Sequence, residues 1–180
     1  MNEEFLDGRV IIKVGDITKE KTDAIVNAAN STLLGGGGVD GAIHRVGGKE
    51  ILEQCKKIRL TDYPNGLPTG EAVITTGGDL DAEFVIHTVG PIYGRENGKE
   101  ELLLASCYTK CLKLATEKNL KTIAFPSIST GAFYYPKHEA AKISSKSIKQ
   151  FLANNEMLEI VYLVFFSESD AEKFLKHKTF

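Results

Sequence analysis

Between Asn27 and His44 the chain gathers side chains and backbone suited to holding a phosphate-bearing ligand. Asn27-Ala28-Ala29-Asn30 carries two primary amides, each able to donate and to accept hydrogen bonds. Leu33-Leu34 then leads into four consecutive glycines, Gly35 to Gly38, followed by Val39, Asp40 and Gly41. Glycines in a row permit backbone conformations that other residues resist, and they let a ligand approach the main chain. His44 lies four residues after Asp40, on the same face of a helix. It would either hold that carboxylate or simply pack as a lone histidine. A second glycine-containing loop runs Pro126-Ser127-Ile128-Ser129-Thr130-Gly131-Ala132-Phe133-Tyr134-Tyr135-Pro136. Successive free N–H groups at the start of a helix form an anion site. Neither loop contains a Lys or Arg before its helix begins. The chemistry implied is a phosphate held by main-chain donors; the competing reading is two flexible connections.

The elements that must position these loops follow from hydrophobic periodicity. Strands are expected over Arg9–Val14, Asp23–Asn27, Glu71–Thr75, Phe84–Val89, Lys121–Phe125 and Glu159–Phe166, the last being the most apolar and expected to be central. Helices are expected over Asp40 to about Arg59, Glu100–Lys118, Pro136 to about Ala153, and Ser167–His177. Leu103, Leu104, Cys107, Cys111, Leu114 and Ala115 form the apolar stripe of the second of these. Pro136 suits a first helical turn, where its missing N–H would have no partner. Ser167 is expected to cap the last helix, with Asp170 three residues later. About six strands alternating with helices imply an α/β fold with helices on both faces of the sheet. In such sheets ligands bind beyond the carboxyl ends of the strands.

The 180 residues fit one domain, 1–180, and a hydrophobic fraction of 42% is enough for a continuous core. The longest apolar run, Ile160 to Phe166, is far short of the roughly 20 residues that span a bilayer. The acidic start Met1-Asn2-Glu3-Glu4 lacks the basic and apolar segments of a signal peptide, so a cytoplasmic protein is expected. A formal net charge of −2 argues against charge-driven binding to nucleic acid but not against a small anion held by backbone donors. Cys55, Cys107 and Cys111 form no C-x-x-C pair and read as small buried side chains. No metal or cofactor motif stands out. Gly36-x-Gly38-x-x-Gly41 matches a dinucleotide fingerprint formally, but no acidic residue ends a second strand about 20 residues on. Gly48-Lys49-Glu50 is not a phosphate-binding P-loop, and neither H-E-x-x-H nor G-x-S-x-G occurs.

Taken together, Gly15-Asp16-Ile17-Thr18, Asn27 to Asn30, Leu34 to His44, Ile86-His87-Thr88-Val89-Gly90-Pro91 and Pro126 to Pro136 resemble the motif set of macrodomains of the MacroD-like class. The motifs appear in the family's order. The resemblance implies a three-layer α/β/α sandwich with a mixed, six-stranded sheet. It also implies binding of ADP-ribose and hydrolysis of an ester at its distal ribose, with no metal and no cofactor. Substrates of that class are O-acetyl-ADP-ribose and proteins mono-ADP-ribosylated on carboxylates; a module that reads ADP-ribose without cleaving it is the alternative.

The resemblance assigns roles residue by residue. Asp16 matches the aspartate that accepts from the adenine amino group, and Ile17 would offer its backbone N–H to the ring. Asn30 matches the asparagine on the distal-ribose hydroxyls, whereas Asn27 would either touch ligand or tie down the loop. Asp40 matches the aspartate beside the reacting ribose. It would orient or deprotonate a water, or position a hydroxyl while the ligand's phosphate activates water. His44, by its spacing rather than by the resemblance, would join the catalytic residues if it holds Asp40 and would otherwise only pack. Gly37, Gly38 and Val39 join the binding residues, and Ser129, Thr130, Gly131 and Ala132 would cradle the diphosphate. Phe133 matches the aromatic that covers the distal ribose. The family pattern continues with a glycine, where this chain has Tyr134. A side chain there costs roughly 1–2 kcal/mol in a left-handed conformation. Either the loop takes another path or the tyrosine closes over the ligand.

Overall fold

The computed structural model describes residues 1–180. Seven strands form one sheet: β1 (Asn2–Phe5), β2 (Val10–Val14), β3 (Ala24–Ala29), β4 (Ala72–Thr76), β5 (Phe84–Val89), β6 (Thr122–Phe125) and β7 (Ile160–Phe165). The helices are α1 (Gly38–Gly47), α2 (Lys49–Thr61), α3 (Glu100–Glu117), α4 (Lys137–Ala153) and α5 (Glu168–His177). The strands lie in the order β1-β2-β7-β6-β3-β5-β4, with the two edges antiparallel and every interior pairing parallel.

Period-2 alternation sends successive residues of each strand to opposite helical layers. In β3, Ala24 and Val26 pack with α3, α4 and α5, while Ile25 and Ala29 pack with α1 and α2. The sheet is thus sandwiched between two apolar clusters, each closed by a helical layer, as the α/β/α expectation required.

Four expectations need correction. A seventh strand, β1, precedes the six. Its Asn2, Glu3 and Glu4 are exposed, so it carries no apolar alternation to read. Charged edge strands of this kind also discourage pairing with other chains. β7 is interior but not central; β6 occupies the middle. The helix expected from Asp40 to Arg59 is two helices, broken at Gly48, whose φ is +79°. The Gly77–Asp79 turn seats against that joint, where Asp79 N–H donates to Gly47 C=O at 2.9 Å. Finally, the buried face of α3 includes Tyr108 and Leu112, while Leu103 and Leu114 are only partly covered. The helix packs on α4 as well as on the sheet, which rotates its covered face.

Candidate functional site

Because β2, β7, β6, β3 and β5 run parallel, their carboxyl ends open on one edge of the sheet. The segments that leave them line up in strand order: Gly15-Asp16 after β2, Phe166 after β7, the Pro126–Tyr135 loop after β6, Asn30–Gly37 after β3 and Gly90 after β5. Tertiary structure therefore brings the sequence-singled residues into one row, which sequence spacing alone does not dictate.

The two central loops are rich in free donors. No acceptor in the chain takes the N–H groups from Ser129 to Phe133, nor those from Gly35 to Asp40. The loops are held instead through other atoms. Tyr135 N–H donates to Ser129 C=O at 2.9 Å, Tyr134 N–H to Gly131 C=O at 3.0 Å, and Thr130 Oγ1 to Ser127 C=O at 3.0 Å. The following α1 starts at Gly38, so its dipole adds positive potential at the same place. An anion placed between the loops would satisfy amides that otherwise meet only solvent.

The Pro126–Tyr135 loop rests on Gly90. A methyl group there would overlap Ser129 Oγ and lie 2.8 Å from Ile128 Cγ2. Ser129 itself takes φ +65°, and its buried hydroxyl has no partner. Tyr134 also keeps the left-handed conformation, at φ +56°, with its side chain 78% exposed. The loop has not taken another path. The tyrosine occupies the glycine-type backbone and points its bulk at solvent.

Asp40 lies in the first turn of α1 and is 5% exposed. Its Oδ1 accepts from Asn27 Nδ2 at 2.8 Å. Its Oδ2 faces Gly36: a Cβ on that glycine would lie 3.2 Å from Asp40 Oδ2 and 3.3 Å from Asn30 Nδ2. Asp40 and Asn30 thus converge on one point of the glycine loop. Asn30 is half-buried, donates to Gly35 C=O at 3.0 Å and accepts from Thr32 Oγ1 at 2.5 Å. His44 Nε2 is 3.4 Å from Asp40 Oδ1 but outside hydrogen-bonding geometry, and it has no other partner. The His44 ring packs beneath Gly35. Asn27 is fully buried on β3, so its side chain works on Asp40 from behind rather than at the open surface.

At the other end of the row, Asp16 is exposed. Its Oδ1 accepts from Thr18 N–H at 3.0 Å and Thr18 Oγ1 at 2.7 Å, which holds its carboxyl below the usual aspartate range. Oδ2 remains free of partners in the chain. The Ile17 side chain is buried beneath, fixing the turn. Gly37, Gly38 and Ala132 are exposed and Val39 and Phe133 partly so, along the floor and rim between these ends.

Sequence reasoning missed Phe166. It was read as the last residue of a buried strand, yet it lies one residue past β7 and is 90% exposed. Gly15 N–H donates to Phe165 C=O at 2.9 Å, so Phe166 and Asp16 follow the ends of two adjacent parallel strands. A phenylalanine before a Ser167 cap ordinarily packs back on its helix. Its exposure leaves a bare aromatic ring at the strand end neighbouring that of Asp16, and an aromatic ring with a carboxylate within reach suits a flat heterocycle. Nothing in the uninterrupted apolar run Ile160 to Phe166 marks its last residue as the exposed one.

The fold and this cleft define an α/β protein with two loops of unpaired main-chain donors along the carboxyl edge of its sheet. A family model, Macro domain, matches residues 26–144. The chain belongs to the Macro domain family. It is 54% identical over 169 residues to a macro domain-containing protein of Methanosarcina mazei, covering 93% of this chain and 87% of that one. It is 48% identical over 168 residues to a Pantoea vagans protein named O-acetyl-ADP-ribose deacetylase 1, covering 93% and 97% of the two chains. Among solved structures, the Oceanobacillus iheyensis macrodomain with ADP superposes with a TM-score of 0.93 at 49% identity, covering 98% of this chain and 93% of that one. The Trypanosoma brucei macrodomain in complex with ADP-ribose gives a TM-score of 0.85 at 38% identity, covering 94% and 68%.

Proposed function

We propose that this protein binds ADP-ribose along the carboxyl edge and hydrolyses an ester at its distal ribose. The adenine lies between Asp16 and Phe166, the diphosphate on the amides of Ser129 to Phe133 and of the glycine loop, and the distal ribose over Gly36. Similarity to the Pantoea deacetylase and to macrodomains solved with ADP and ADP-ribose supports the ligand. The substrates are O-acetyl-ADP-ribose and proteins carrying mono-ADP-ribose on carboxylate side chains.

The observation that carries hydrolysis is the convergence of Asp40 Oδ2 and Asn30 Nδ2 on Gly36. Asn30 offers an amide to the ribose hydroxyls. Asp40, an acceptor-only carboxylate, orients a water toward the acyl carbon. Water adds to that carbon, the bond from it to the ribose oxygen breaks, and the water's proton ends on the departing ribose oxygen. General-base help of this kind is typically worth roughly 10²–10⁴-fold.

The test is release of acetate from O-acetyl-ADP-ribose and of ADP-ribose from a glutamate-modified protein, by wild type and Asp40→Ala. Wild type is expected to turn both over, and Asp40→Ala to lose on the order of 100-fold or more in kcat. Equal, background-level release by the two refutes hydrolysis. Binding of ADP-ribose without release would make the protein a reader.

A further inference from the structure

Behind Asp40 lies a line of buried polar side chains that the proposed chemistry does not use. Asn27 of β3 and His87 of β5 are register partners, and both are fully buried. Thr75 of β4 is 3% exposed. All three lie on the sheet face that packs against α1 and α2.

The hydrogen bonds along this line have a direction. Asn27 Nδ2 is 2.8 Å from Asp40 Oδ1 and 3.1 Å from His87 Nδ1. An amide nitrogen has two hydrogens and no lone pair to share, so both neighbours accept. Turning the amide over would set its oxygen against a carboxylate oxygen. His87 Nδ1 is therefore the bare nitrogen, and the ring carries its proton on Nε2. That proton points at Thr75 Oγ1, 2.9 Å away, and the Thr75 hydroxyl donates onward to Thr76 C=O at 3.0 Å. Burial, with His44 adding to it, pushes the His87 pKa down to about 3, which keeps the ring neutral. The Cys55 thiol, 3.8 Å from Nε2, is pushed up to about 12, chiefly by burial and then by Asp40, and stays protonated.

We propose that His87 is a positioning residue for Asp40: by accepting one amide hydrogen of Asn27 it commits the other to Oδ1, so that Oδ2 stays turned to Gly36 and the cleft. The inference rests on the hydrolase reading above. It separates His87 from a merely packed histidine, because only the Nδ1 lone pair matters to Asp40.

Two substitutions divide the ring's functions. In His87→Asn the amide oxygen can stand where Nδ1 stands and accept from Asn27. In His87→Gln the amide reaches the Nε2 position and the acceptor beside Asn27 is lost. With O-acetyl-ADP-ribose, His87→Gln is expected to lower kcat by about 10- to 100-fold, the size of effect that misplacing a catalytic group produces. KM and the Kd for ADP-ribose should stay within about twofold, because the loss falls on the chemical step. His87→Asn should keep kcat within about threefold of wild type. Equal losses in the two variants, no loss in either, or a fall in affinity that parallels kcat overturns the proposal.

Nitrogen NMR of the imidazole in the unsubstituted protein needs neither folding of a variant nor turnover. The proton is expected on Nε2 with Nδ1 bare. A proton on Nδ1 overturns the proposal even if hydrolysis is real. Absence of wild-type release with the expected tautomer would remove the hydrolase reading and leave the Asn27 arrangement intact.

Discussion

Replacing Gly90 with alanine tests whether the phosphate-binding loop owes its shape to the strand end beneath it. The new methyl would overlap Ser129 Oγ and come within 2.8 Å of Ile128 Cγ2, so something must move. Ser129 has little freedom to do so. It is already at φ +65°, and its carbonyl is tied to Tyr135 N–H at 2.9 Å. Below it, Ile128 is fully buried. Overpacking of a tight site costs typically 1–3 kcal/mol. With a urea m-value of about 2 kcal/mol/M, that lowers the unfolding midpoint by about 0.5–1.5 M. Displacing the loop also misaligns the amides from Ser129 to Phe133, so ADP-ribose affinity should fall with it. The double variant Gly90→Ala/Ser129→Ala supplies the control. Ser129 Oγ has no partner, so Ser129→Ala alone should be close to neutral. In combination it should relieve the overlap, giving a favourable coupling of about 0.5 kcal/mol or more by double-mutant cycle. Urea denaturation and calorimetric titration with ADP-ribose read both effects. A Gly90→Ala variant as stable and as tight-binding as wild type, or strict additivity in the double variant, refutes the reasoning.

Two further outcomes follow from local geometry. Tyr134→Gly removes roughly 1–2 kcal/mol of left-handed strain. It also adds about 0.4–1 kcal/mol of unfolded-chain entropy. Little burial is lost, because the side chain is 78% exposed. A net change between about 0 and +1.5 kcal/mol is expected, raising Tm by up to about 6 °C, whereas Tyr134→Ala should show no gain. A drop in Tm for the glycine variant would contradict the strain argument. Asp170 donates acid dependence to stability: its hydrogen bond from Lys137 Nζ, 2.6 Å away, holds its carboxyl below the usual range. A carboxyl that resists protonation more when folded than when unfolded stabilises the protein above about pH 4 and ceases to do so as pH falls through the depressed value. The stability gap between wild type and Asp170→Asn should therefore close on acidification; a gap independent of pH would exclude the pair.

What the sequence determined by itself is the part governed by short-range rules. Apolar, β-branched segments marked six strands, and glycines shortly before helix starts marked both loops, because periodicity and φ freedom act over a few neighbours. The Ser167 cap was legible for the same reason and makes its predicted contact, its hydroxyl accepting from Asp170 N–H at 3.2 Å. Asp40, Asn30 and the Ser129–Ala132 amides were singled out through the resemblance of their motifs to the family, and the fold sets their loops along one edge of the sheet. The rest needed tertiary structure, because it depends on which distant segments meet. The β1 edge is held by pairing with β2, not by its own polar residues. The helix break at Gly48 answers to the turn at Gly77–Asp79, some thirty residues away. Asn27 could have faced ligand or loop, and the packing of β3 against β5 places it between Asp40 and His87, 60 residues from the latter in sequence. Phe166 became conspicuous only once its neighbours in the run proved to be buried and it did not. Hydrogen bonds and packing across the sheet are long-range, and one sequence read residue by residue carries the parts of such contacts but not their meeting.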